Sequence, residues 1–317
     1  MVKLVARFIQ IFLAVLVVMG LTFLIVKSLP GSPIDTDSVT SNEVKSSLMN
    51  QYGLDVPSYK QLYYFYLNLM KFEFGESFLF PGQSVRRVLL QALPPSLFLG
   101  LLTWLVSLVG GIILALFKNS YNRIWLNWVL NTIVDGLLAL PNFALAAILI
   151  YLFSIKWSIL PSALWLGPKY YVLPVLVLGA RPMCLIFRLL DEEIQQVVRA
   201  DYITTARAKG VYGVRLWAWH ILRNALSPLM GYLAPLTAGL LTGSFVVETI
   251  FAIPGVGTYL IESIGGRDYP LLMALTGLFA AILALSQWIS EFLLILNFPQ
   301  LTQSNDLSTF GNWGAFK

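Results

Sequence analysis

Between Asp191 and Pro228 the chain reads D-E-E-I-Q-Q-V-V-R-A-D-Y-I-T-T-A-R-A-K-G-V-Y-G-V-R-L-W-A-W-H-I-L-R-N-A-L-S-P. The chemistry this stretch suits is docking to another protein. Asp201 is placed to cap a short helix running through Thr204, Thr205, Ala206 and Ala208. Gly210 is placed to end it, because glycine readily takes the left-handed conformation that closes helices. Such a helix carries small residues on one face and Arg207 and Lys209 on another. Small residues admit close approach by a partner, where an ordinary amphipathic surface helix would bury Leu, Ile or Phe.

Other chemistries lack their residues. No Gly-Lys dipeptide occurs, so there is no G-x-x-x-x-G-K-[ST] loop to cradle phosphates. Neither H-E-x-x-H nor G-x-S-x-G is present. A single cysteine, Cys184, and a single histidine, His220, can form neither an internal disulfide nor a Cys/His metal cluster. Ion-coupled carriers use carboxylates inside the membrane. Only Asp135 and Glu291 qualify by position, and both read as interfacial charges near the ends of their spans.

The elements that must position the loop are apolar. Of 317 residues 57% are hydrophobic and 12% charged, with a mean hydropathy of +0.75. Soluble domains carry about 25% charged residues, so lipid must solvate much of this surface. Spans of about 20 apolar residues are expected near 8–26, 96–117, 133–153, 170–190, 226–247 and 271–289. Pro141 falls inside the third, where neighbouring groups can re-satisfy the freed carbonyl. The first lacks a small-x-small cleavage pattern and reads as a retained span rather than a signal peptide. Residues 31–93 form a polar loop region whose Tyr59–Phe74 stretch, with Tyr63, Tyr64, Phe65 and Tyr66, suits a membrane interface or a small packed layer.

The expected fold is therefore an all-α polytopic membrane bundle of about six helices. Its parts are an N-terminal segment with the first span (1–30), the outer loop region (31–93), a five-helix core (94–296) holding the 191–228 loop, and a tail (297–317). The net charge of +5 is read as a topology signal and not as a nucleic-acid surface. With the N-terminus inside, inner segments hold Lys3, Arg7, Lys118, Arg123, Arg188, Arg199, Arg207, Lys209, Arg215, Arg223 and Lys317. Outer segments hold Lys27, Lys156, Lys169 and Arg267. Eleven against four, with Arg181 set aside inside its span, places both termini in the cytoplasm.

T-T-A-R-A-K-G followed by H-I-L-R-N-A-L-S-P resembles the EAA loop of binding-protein-dependent permeases, in the form of the oligopeptide/dipeptide/nickel branch. F-E-F-G-E-S-F with L-P-P-S-L, V-V-E-T-I-F-A-I-P-G-V-G, and R-D-Y-P-L-L agree with that branch in order and along nearly the whole chain. Thr204-Thr205-Ala206 stand where the generic pattern has E-A-A, and the proline comes late, at Pro228. The acidic run Asp191-Glu192-Glu193 departs from a usually basic stretch and points to a partner of altered charge.

The resemblance implies a permease subunit of an ATP-driven importer in the cytoplasmic membrane, half of a pathway for short peptides. Its partners would be a second permease, two ATPase subunits that bind the ATP, an extracytoplasmic solute-binding protein and membrane lipid. No cofactor, metal or catalytic residue is expected in this chain. Coupling to the ATPase is assigned to Asp201, Thr205, Ala206, Arg207, Ala208, Lys209 and Gly210, with Arg223 and Asn224 supporting the loop. Nickel complexes, oligosaccharides or another solute are alternative cargoes, and a stand-alone ion-coupled carrier is the alternative class.

Overall fold

A computed structural model describes residues 2–28, 56–69, 71–121, 123–241 and 244–297. Residues 29–30 of the expected N-terminal segment, 31–55 of the expected outer loop and the tail after Asn297 lie outside the described residues. In chain order the helices are α1 (Val2–Ser28), α2 (Ser58–Leu69), α3 (Val85–Tyr121), α4 (Ile124–Ala139), α5 (Asn142–Leu149) with a π-helical extension (Ile150–Lys156), α6 (Pro168–Val198) and α7 (Asp201–Ala208). A helical segment then passes from Gly213–Arg215 through a π-helical stretch, Leu216–Leu222, into α8 (Arg223–Leu241). It is followed by α9 (Phe245–Ile250), α10 (Val256–Gly265) and α11 (Tyr269–Asn297).

Among the described residues four helices are long and apolar enough to cross a membrane, or six if two broken pairs each count as one span. One break falls at Pro141, where a single tolerated kink was expected. The residue before a proline is driven out of the helical region. Leu140 accordingly sits at φ −78°, ψ 128°, and α4 ends. The other break lies between Leu233 and Pro235, inside α8, and the expected fifth span, 226–247, is divided again where α8 ends at Leu241 and α9 begins at Phe245.

Two helices outrun the bilayer. α3 has 37 residues, about 55 Å at 1.5 Å per residue, against a hydrocarbon core of about 30 Å. It begins eleven residues before the expected span because Val85, Val88 and Ala92 continue its apolar face while Arg86 and Arg87 stay exposed. α6 has 31 residues and carries its last turns, from Asp191, beyond the apolar stretch.

The chain packs as two compact units. The first holds residues 1–102, 142–177 and 239–284. There Val85, Val88 and Ala92 bury against Val256, Leu271, Ala274 and Leu275, so the later part of the outer loop region forms a packed layer. Tyr59, Tyr63 and Tyr64 on α2 are exposed, whereas the Tyr66 hydroxyl donates to the Leu16 carbonyl at 2.7 Å. The second unit holds residues 103–141, 178–238 and 285–317. Its α3 and α6 meet through small residues, which allow close approach where lipid offers no hydrophobic drive. Ser107 Oγ donates to the Gly179 carbonyl at 3.1 Å, and a Cβ at Gly111 would lie 2.6 Å from Ile186 Cγ2.

Candidate functional site

The short helix expected before Gly210 exists as α7, with two differences from the expectation. Asp201 is its first helical residue and not its cap. The cap position is Ala200, at φ −72° and ψ 144°, which offers no side-chain hydrogen bond. Asp201 instead places an acidic group in the first turn, where it complements the helix dipole. The second difference concerns the small-residue face. Ala206 is only 8% exposed and points inward with fully buried Ile203, three residues earlier on the same face. The helix therefore buries an isoleucine after all, and Ala206 is small because this chain packs against it.

The outward face is formed by Asp201, Thr204, Thr205, Arg207, Ala208 and Lys209, all exposed. Thr205 Oγ1 donates back to the Asp201 carbonyl at 3.1 Å. Gly210 ends the helix as expected, at φ +81°. Its N–H donates to the Arg207 carbonyl and the Val211 N–H to the Ala206 carbonyl, the paired bonds of a Schellman closure.

α7 packs on the π-helical stretch Leu216–Leu222. Asn224 joins the two: its side-chain amide donates to the Tyr202 hydroxyl at 3.1 Å and to the His220 carbonyl at 2.8 Å. Arg223 is exposed beside it. Of the nine assigned residues, seven lie on α7 or its closing turn and Asn224 reaches that helix through Tyr202.

The acidic run has an internal explanation at its first member. Asp191 pairs with Lys118 at 2.6 Å, the two side chains being 11% and 7% exposed. Asn119 and Gln195 also donate to Asp191, and Lys118 donates to Asn131 as well. A partner of altered charge is thus not needed to account for Asp191. Asp135, weighed as an intramembrane carboxylate, forms a half-exposed ion pair with Arg188.

Two buried carboxyl groups escaped the sequence reading. Glu248, in V-V-E-T-I-F, is fully buried and accepts from Ser96 Oγ at 2.8 Å, from Gly257 N at 2.8 Å and from Thr258 N at 3.3 Å. Ser96 Oγ in turn accepts from Val256 N at 2.8 Å. Together they cap the N-terminus of α10, and a Cβ at Gly255 would lie 2.5 Å from Ser96 Oγ. Asp268, in R-D-Y-P-L-L, is also fully buried. It caps α11 through Leu271 N at 3.0 Å and holds Ser77 Oγ and Leu79 N of the F-G-E-S-F loop. The motifs recognised separately in sequence are therefore bonded in pairs: L-P-P-S to V-V-E-T…P-G-V-G, and F-G-E-S to R-D-Y-P.

Comparison with known proteins gives the family. Residues 107–295 match the family model described as the binding-protein-dependent transport system inner membrane component. The chain belongs to that family. This permease is 36% identical over 277 residues to the dipeptide transport system permease protein DppB of Bacillus subtilis, covering 87% of this chain and 90% of that one. It is 32% identical to the oligopeptide transport system permease protein OppB of Haemophilus influenzae, over 88% and 92% of the two chains. A crystal structure of an amino acid ABC transporter with histidines shares the fold, at a TM-score of 0.50 and 18% identity, over 68% of this chain and 94% of that one. As a family member the permease is an inner-membrane transport component of an ATP-binding-cassette importer.

Proposed function

We propose that this permease forms half of the pathway for short peptides and is driven through α7 by separate ATPase subunits. The observation that carries the peptide assignment is the similarity, along nearly the whole of both chains, to relatives named as dipeptide and oligopeptide permeases. The coupling assignment is supported by the exposed face of α7 and its stiff anchorage. Ile203 and Ala206 fix the helix to its own chain, while Thr205, Arg207, Ala208 and Lys209 remain free to meet a partner.

The assembly consists of this chain, a second permease, two ATPases holding the ATP and an extracytoplasmic solute-binding protein. This chain has no phosphate-binding loop and holds no cofactor or metal of its own; it does not hydrolyse ATP. Both termini and α7 face the cytoplasm, in line with the lysine and arginine count. When the ATPases close on ATP, α7 is displaced as a rigid lever and the cavity changes the side it faces. Charge-free stretches in the spans suit a passage that does not grip any one group of the cargo.

Purification of the assembled complex from its own membranes, with identification of the co-purifying subunits and bound solute, tests this reading. Peptides on the binding protein, together with two ATPases and a second permease, are expected. A bound nickel complex or oligosaccharide would replace the cargo. Recovery of the chain without any ATPase would overturn the assignment.

A further inference from the structure

α6 leads directly into the docking helix. Only Arg199 and Ala200 separate Val198 from Asp201, and both are held in a hydrogen-bonded turn, Arg199 N to the Gln196 carbonyl and Ala200 N to the Val197 carbonyl. A displacement of α7 is therefore delivered to the last turns of α6. Those turns are tied ionically to two other helices of the same unit: Asp191 to Lys118 of α3, and Arg188 to Asp135 of α4.

The two ties differ in kind. Arg188 and Asp135 are about half exposed, and an exposed pair holds little. Lys118 and Asp191 are buried, and further hydrogen bonds hold both charged groups. Asn131 takes a second proton of the ammonium, while Asn119 and Gln195 donate to the carboxylate. The Lys118 ammonium also lies 5.5 Å from the Phe187 ring centre, on α6 itself. Buried, hydrogen-bonded ion pairs are poor contributors to net stability compared with apolar packing, and their best-attested use is to fix register. α3 and α6 otherwise meet where Met183 and Ile186 pack against Gly110 and Gly111 and where Ser107 donates to the Gly179 carbonyl, contacts that lie further along the two helices and carry no charge.

Resting on the coupling role of α7, we propose that Lys118 and Asp191 are positioning residues for transport, the joint that passes the stroke of α7 from α6 to α3. With the pair in place, α3 and α7 move together. Without it, ATP is still hydrolysed but part of the stroke is lost where the last turns of α6 meet the end of α3.

The test uses the whole complex in proteoliposomes, with labelled dipeptide as probe and peptide moved per ATP hydrolysed as readout. Asp191→Asn and the doubly apolar Lys118→Met/Asp191→Leu are compared with the conservative Lys118→Arg. The double variant removes both charges and so leaves no buried ion unpaired. Both disrupted forms should be present in the membrane and move at least about threefold less peptide per ATP, the scale on which residues along a coupling route act. Lys118→Arg should keep the wild-type ratio. In parallel, spin labels at exposed Tyr121→Cys and Tyr212→Cys, in a Cys184→Ser background, report the distance from α3 to the turn that closes α7. It should be unchanged by trapping ATP when the pair is intact and should shift or broaden when it is broken.

An unchanged ratio and an unchanged distance in either disrupted variant would overturn the proposal. So would absence of both variants from the membrane, which would make the pair a folding element only. If the intact complex moves no dipeptide, the cargo reading fails and the spin-label comparison still decides. If Ala208→Cys forms no crosslink to the ATPase in the intact complex, the fault lies with the coupling reading instead.

Discussion

Glu248→Ala removes the acceptor for three donors at once. Ser96 Oγ–H and Gly257 N are buried with bonds of 2.8 Å, and Thr258 N is partly buried with a longer bond of 3.3 Å. A buried donor left unmade costs about 1–3 kcal/mol. Weighting Thr258 least, the substitution should cost about 3–5 kcal/mol. At about 2–4 °C per kcal/mol for a chain of this size, the melting temperature falls by roughly 10 °C. Glu248→Gln keeps one carbonyl oxygen for the two amides, and Ser96 can reorient, so it should cost only about 1 kcal/mol. Ser96→Ala should fall between, since Val256 N loses its acceptor while the other two bonds survive. The double variant Ser96→Ala/Glu248→Ala should cost less than the sum, because the two side chains share one network. Thermal unfolding of the detergent-extracted complex, followed by tryptophan fluorescence, measures all four. If Glu248→Ala and Glu248→Gln melt alike, or the two alanine changes add fully, the carboxyl does not cap α10.

Asp268→Ala should destabilise by about 2–4 kcal/mol, since Ser77 Oγ, Leu79 N and Leu271 N lose their shared acceptor; faster proteolytic nicking of the 73–84 loop in intact complex is the readout. Gly210→Val puts a β-branched residue at φ +81° with open space around it. Transport should fall while membrane abundance stays near normal, and wild-type transport would show that this turn need not be left-handed. For topology, cysteines replace exposed Lys60 and Tyr212 in a Cys184→Ser background. An impermeant thiol reagent applied to intact cells should label Lys60→Cys alone; labelling of Tyr212→Cys alone would invert the orientation.

The spans were legible because lipid-facing surface needs long apolar runs, and those survive any detail of packing. Their breaks were less legible. Pro141 ends a helix while Pro94 and Pro95 sit inside one, and the difference is set by neighbours that a single sequence does not display. The end of α7 was readable because Gly210 acts through its own backbone. Its faces were not, although Ile203 three residues before Ala206 was the available signal. For Asp268 a signal was available and went unread, since an aspartate just before a helical run is a common cap. Glu248 gave no such sign, because its partner Ser96 is 152 positions away and serine in an apolar span reads as packing. Asp191 likewise meets Lys118 across 73 positions, so it appeared as surface charge.

This permease is expected to move solute only as part of an ATP-driven assembly. The most direct measurement is uptake of labelled dipeptide into proteoliposomes, comparing the purified chain alone with the chain joined by its second permease, ATPases and binding protein. Uptake should require the full assembly and hydrolysable ATP on the α7 side, and should vanish when ATP is replaced by a non-hydrolysable analogue. Uptake by the chain alone, driven by an ion gradient without any ATPase present, would contradict it.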